Sequence, residues 1–201
     1  SIREYIRNFI MSKLEANQVD PATGTTLTLG TSGDTITIPS GVTIANSGTA
    51  TGFGANTPSF RAYMGAAQTI NDVINTVVAY NTENFDTDSA YDTSTYRFTV
   101  PSGAAGKYFL SAHVYITDSS ATLYSSDFQI RKNGTNQSAD SLALDSSDNY
   151  SYILKTSTIL DLSVGDYIDC NVIGNTNDGG SFQAFNTSPY QFSVFQGFKL
   201  L

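Results

Sequence analysis

The chain has 201 residues, only 14 % of them charged, and a net charge of −8. That balance excludes the basic footprint of a nucleic-acid binder and disfavours an anionic membrane surface, Arg131-Lys132 being the lone cationic pair. No run approaches the ~18 apolar residues of a spanning helix, and one cysteine, Cys170, makes neither an intrachain disulfide nor a zinc site.

The first segment, residues 1–16, has helical period. Ile2, Tyr5, Ile6, Phe9, Ile10 and Leu14 share one face, while Arg3, Arg7 and Lys13 point elsewhere. These charges also break up any signal-peptide core. A helix this short is marginal alone, so its stripe predicts an anchor that docks on a partner. Met11 opens a second register and reads as an alternative start.

Residues 17–57 predict a stalk rich in Gly, Thr and Ser. Three alternating units, Thr26-Leu27-Thr28-Leu29, Thr35-Ile36-Thr37-Ile38 and Val42-Thr43-Ile44, are punctuated by Gly30, Gly33, Gly41 and Gly48. Each reads as a short strand with one dry face. Two apolar side chains per strand are too few for one chain to bury, which favours several chains wound together.

From residue 58 to 201 the segments lengthen and carry aromatics. Ser59–Met64, Thr76–Tyr80, Tyr96–Val100, Lys107–Thr117, Asp127–Lys132, Tyr150–Leu160, Tyr167–Gly174, Ser181–Ala184 and Gln191–Leu200 read as strands. Turn clusters such as Asn133-Gly134 and Val164-Gly165-Asp166 separate them. Twelve Tyr and twelve Phe, on a surface of Ser, Thr and Asn, complete an all-β expectation: an antiparallel sandwich or jelly roll.

The order of residues in this last segment carries a resemblance. Phe60-Arg61-Ala62-Tyr63 is followed by Asn84-Phe85-Asp86, Tyr91-Asp92, Thr95, Phe98 and Pro101. Gly106, Tyr108-Phe109-Leu110-Ser111 and His113-Val114 come next, then Ile130-Arg131-Lys132-Asn133-Gly134. Leu160, Leu162 and Gly165-Asp166 precede a close on Ser193, Phe195, Gly197-Phe198 and Leu200. Together these resemble the globular head of the complement C-one-q family, a relative of the tumour-necrosis-factor fold. The resemblance implies a ten-stranded jelly roll that forms a homotrimer and binds or scaffolds rather than catalyses. No collagen-like run precedes it. A short helix, β-repeats and a C-terminal trimeric head instead look like the fibres and spikes of tailed bacteriophages. That architecture implies a virion protein attached to other particle proteins through its N-terminal segment, its head meeting a host glycan or protein. A capsid decoration protein is the alternative; a polysaccharide-degrading fibre enzyme is the third reading.

No catalytic residues are expected. His113, the sole histidine, sits in a strand pattern, and Asp86, Asp88 and Asp92 fall in a turn-rich segment where capping explains them. Asp86-x-Asp88 and Asp145-Ser-Ser-Asp148 match no calcium loop and read as solvated acids, so no cofactor is expected, calcium on these pairs being the alternative. Ligand contacts on a jelly roll fall in loops, and the candidates are Tyr124, Tyr150, Asn177, Asp178 and Phe182, aromatics and amides in a paratope-like composition.

Overall fold

The computed structural model describes residues 19, 21–45, 47–48, 56–118, 123–143, 150–185 and 190–200, with the backbone alone of Tyr150. The expected N-terminal helix lies outside them. Two compact units divide the chain at residue 51.

In the first unit no strand forms over residues 21–45, the three alternating segments included. Two turns repeat at an interval of eight residues: Asp34 N donates to Thr31 O (3.0 Å) and Val42 N to Pro39 O (3.2 Å). Gly33 (φ 95°) and Gly41 (φ 85°) occupy the third position of each, where a left-handed backbone is needed. Asp34 closes the first turn by accepting from Thr31 N and Oγ1. Leu27, Leu29, Ile36, Ile38, Val42 and Ile44 stay 43–65 % exposed. The strands expected here therefore do not form within one chain, whose pairs of apolar side chains find nothing to pack against.

The second unit is an all-β jelly-roll sandwich of two antiparallel sheets, with no helix among the described residues. Its strands are β1 (Ser59–Tyr63), β2 (Gln68–Asn71), β3 (Thr76–Val77), β4 (Thr82–Asp86), β5 (Tyr91–Asp92), β6 (Arg97–Thr99), β7 (Gly106–Asp118), β8 (Leu123–Lys132), β9 (Thr135–Ala143), β10 (Tyr150–Leu162), β11 (Tyr167–Thr176), β12 (Ser181–Phe185) and β13 (Val194–Lys199). Thirteen strands stand among the described residues where ten are expected, two-residue pieces such as β3 and β5 being counted with the long ones. One sheet runs β2-β12-β7-β13-β1-β4, with β10 pairing the other edge of β7. The second runs β5-β6-β11-β8-β9, with β3 alongside β11.

Strict alternation builds the long strands. Tyr108, Leu110, Ala112, Val114 and Ile116 of β7 all turn inward and are buried, as are Phe128 and Ile130 of β8 and Ile168, Cys170 and Val172 of β11. The core centres on four rings drawn from both sheets. Phe60 stacks on Phe98 (4.7 Å) and Tyr91 (5.2 Å) and meets Phe195 edge-on at 4.8 Å. Buried tyrosines keep their hydroxyls bonded: Tyr80 donates to His113 O, Tyr91 to Tyr80 O and Tyr108 to Ala104 O. The β8–β9 hairpin turns on Asn133-Gly134, both left-handed (φ 51° and 79°).

Opposite that hairpin, the β10–β11 turn is clamped. Asp166 pairs with Lys132 (2.8 Å) and accepts from Asn133 Nδ2 (2.7 Å) and Ser163 N (2.8 Å). The Lys132 ammonium first, then the Asn133 amide, hold its carboxyl down at about 2. Asp92, bonded by Ser94 and Thr95, is lowered to about 2 as well. Carboxyls depressed on folding stabilise above their ordinary pKa near 4, and that stabilisation disappears as pH falls through about 2. Urea unfolding should show stability dropping between pH ~4 and ~2. Lys132→Met should shrink that drop; an unchanged acid profile would remove the clamp from the account.

Candidate functional site

The outward face of the sheet containing β7 carries two apolar bands with a polar band between them. Strand register sets the rows. In the lower band Ile159 lies beside Phe109 and Phe109 beside Phe198, whose rings are 5.6 Å apart. Phe85, Phe109, Phe198 and Gln196 line a groove of about 190 Å³ here. In the upper band Ile153 lies beside Tyr115. The Tyr115 ring meets Phe185 at 4.6 Å and Phe192 at 5.7 Å, and Phe192 stacks on Tyr190 at 5.5 Å. Ile153, Ile159, Phe85 and Tyr190 are exposed large apolar side chains.

The middle band is polar and spends its charge locally. Arg61 donates to Gln191 Oε1 (2.6 Å), Asn84 Oδ1 (2.8 Å) and Gln196 Oε1 (3.2 Å). His113 stands in the next row between Lys155 and Val194, with Nε2 3.4 Å from Gln191 O. Partial burial lowers its pKa, Arg61 and Lys155 adding to that against the Gln191 carbonyl. Among the described residues this imidazole meets a backbone carbonyl and two cations, and no carboxylate is bonded to it, so they form no triad around it.

The outward face of the other sheet is charged. Asp169, wholly buried, is held by Arg131 Nε (2.8 Å) and Arg97 Nε (3.3 Å), and Arg97 lies 4.1 Å above the Tyr167 ring. Neighbouring Asn171 is buried and donates to Asn75 Oδ1 (2.8 Å). Cys170 faces the core, where burial pushes its thiol well up and leaves it inert. Among the described residues no three His, Cys, Asp or Glu side chains gather where they could hold a metal ion.

The sequence-predicted contact residues divide. Tyr124, exposed, is the extra residue of a bulge where β8 leaves register with β11. Asn177 and Asp178 are exposed in the β11–β12 turn, Asp178 capping Gly180 N. Tyr150 opens β10 opposite Asp118. Phe182 is corrected as a contact residue: it lies in β12, where a strand is expected, but it is 1 % exposed, with its ring packed over Gly174. A ring in the core cannot meet a ligand. The two apolar bands were not among the expected contact surfaces; the available signal was that Phe109, Tyr115 and Phe198 take outward positions on strands whose inward face is already apolar.

No protein-family model matches the chain, and no curated protein matches it in sequence. Solved structures match it in fold. The globular domain of a zebrafish complement 1qA protein superposes with a TM-score of 0.51 at 15 % identity, covering 72 % of this chain and 98 % of its own. The Eiger TNF of S. frugiperda gives 0.50 at 11 % identity, covering 71 % of this chain and 92 % of its own. At these identities the likeness establishes the fold: a C-one-q/TNF-like jelly roll.

Proposed function

We propose that this chain is the subunit of a homotrimeric virion fibre or spike whose C-terminal head recognises a host surface. The observation that carries the trimer is the double-banded aromatic face of the β7 sheet. A monomer gains nothing by presenting Phe85, Phe109, Phe198 and Ile159 in one band and Ile153, Tyr115, Phe192 and Tyr190 in another. Contiguous apolar surface of that kind marks an interface, and closed rotational symmetry lets each copy cover the next. The unpaired apolar segments of the first unit support the same stoichiometry, since three chains side by side could pair what one leaves exposed. The particle setting rests on the order of segments read from the sequence: a stretch of helical period, alternating Gly/Thr/Ser-rich units, then the head. Three heads held together gain ~10²–10⁴ in apparent affinity over one, which suits weak individual contacts.

Sedimentation equilibrium of the whole chain tests the trimer. Three copies of the 21.5 kDa chain are the expected species. Phe109→Asp and Phe198→Asp should each convert it to monomer, because burying a charge in place of an interface aromatic costs about 2 kcal/mol or more at every copy. A monomeric parent chain sinks the fibre reading.

A further inference from the structure

The β2–β3 turn, residues 72–75, is built under constraint. The Asp72 carboxylate accepts from Thr176 N (2.6 Å) and Thr176 Oγ1 (3.1 Å). Asp72 N donates to Gly180 O (3.0 Å), Val73 N to Gly174 O (2.8 Å) and Ile74 N to Asn71 O (3.2 Å). This clamp holds Val73 at φ 49°, a left-handed backbone that a β-branched residue rarely adopts. Glycine or asparagine would form the turn without strain. The strained turn instead holds Val73 and Ile74 out in solvent, 56 % and 53 % exposed. Strain kept in order to present an apolar side chain points to a use for it.

Beside the turn lies a cavity of about 180 Å³ on the outward face of the six-stranded sheet. Val73 and Ile173 form its apolar walls, and Ser125, Asp127 and Asn175 bring polar groups to it. Register places Asp127 opposite Ile173 and Ser125 opposite Asn175. None of these three polar side chains has a hydrogen-bond or ion-pair partner among the described residues. One step down the same face of β11, buried Asn171 leaves its Oδ1 without a donor. Tyr124, next to Ser125, stands exposed at the start of β8.

From this geometry we infer that the cavity is the head's binding site for a single neutral sugar residue, a reading that rests on host recognition by the head for the source of the sugar. A carboxylate, a hydroxyl and an amide with unspent hydrogen-bonding capacity meet the alternating donors and acceptors of ring hydroxyls. The aliphatic walls of Val73 and Ile173 suit the C–H face of a pyranose. The volume is below the roughly 300–1,000 Å³ of drug-sized pockets, so one ring fits and a longer ligand extends over the surface. A net charge of −8 argues against acidic sugars. A lone carboxylate falls short of the 6–8 oxygens that calcium takes.

Saturation-transfer NMR of the full chain with the methyl glycosides of glucose, galactose, mannose and N-acetylglucosamine tests the site. At least one should bind in the millimolar range. Asp127→Asn should weaken it about tenfold or more, since a charge-assisted hydrogen bond becomes a neutral one, with the melting temperature unchanged. Val73→Gly should weaken binding while stability holds or rises, because it removes a wall and the backbone strain together. If no glycoside binds, or if both variants bind as the parent does, the sugar site is overturned. Sedimentation separates the two readings: a trimer that binds none of the four sinks the sugar site alone, and a sugar-binding monomer sinks the fibre alone.

Discussion

Gly197→Val is expected to lower the stability of the head by about 3 kcal/mol, a fall in melting temperature of roughly 6–12 °C for a unit of this size. Gly197 lies in β13, between Phe60 of β1 and Leu110 of β7. A Cβ there would stand 2.7 Å from Leu110 Cδ2, 2.9 Å from Phe109 O and 3.1 Å from Phe60 Cε1. Leu110 could swing away, but the Phe109 carbonyl belongs to the ladder joining β7 to β13. Relief would therefore need the two strands to part at the middle of the sheet. Thermal unfolding followed by circular dichroism measures the loss. Adding Leu110→Ala should bring no recovery, because it clears the side-chain contact and leaves the carbonyl. Recovery in that double variant would show that the obstacle was the side chain and that the strands are not tightly apposed.

The same residues show how much of the fold the sequence carried. β7, β8 and β11 were legible because inward apolar side chains such as Tyr108, Leu110, Val114, Phe128 and Ile168 fall at alternate positions in long aromatic and aliphatic runs. β9 was not, for a physical reason. It is an edge strand whose inward positions are partly polar, Ser138 bonding Thr156 Oγ1 (2.6 Å) and Asp140 accepting from Lys155 N (3.0 Å), so it has no hydrophobic period to read. β2, β4 and β5 are short pieces at sheet edges, held by register rather than by pattern. Ser181–Ala184 reads as a strand, but its pattern does not show that the Phe182 ring is sealed; what buries it is the missing side chain of Gly174 in another strand. The turn at Val73 was equally hidden. Asn71-Asp72-Val73-Ile74-Asn75 reads as the approach to a strand, and its left-handed backbone follows from the Asp72–Thr176 bond, 104 residues apart in sequence. Alternation reports which face a side chain takes. It does not report which distant residue closes over it.

Arg131→Ala is expected to destabilise the head by about 3 kcal/mol, the cost of leaving a buried charge incompletely paired. Asp169 is wholly buried, Arg131 is 16 % exposed and Arg97 38 % exposed. The asymmetry decides which partner matters. Arg131 makes the shorter bond, 2.8 Å against 3.3 Å, from the drier position. Without it Asp169 keeps one longer contact to a side chain that water already reaches. Arg97→Ala should cost less, since the shorter Arg131 bond survives and the loss is the longer 3.3 Å contact together with the stacked ring of Tyr167. Asp169→Leu should be milder than Arg131→Ala, because it removes the buried charge and lets both arginines turn to water. Urea unfolding of the three variants orders them. If Arg97→Ala proves as damaging as Arg131→Ala, the two arginines hold Asp169 as a single unit. If all three lie near the parent, Asp169 reaches solvent, and the charged face of the second sheet contributes little to stability.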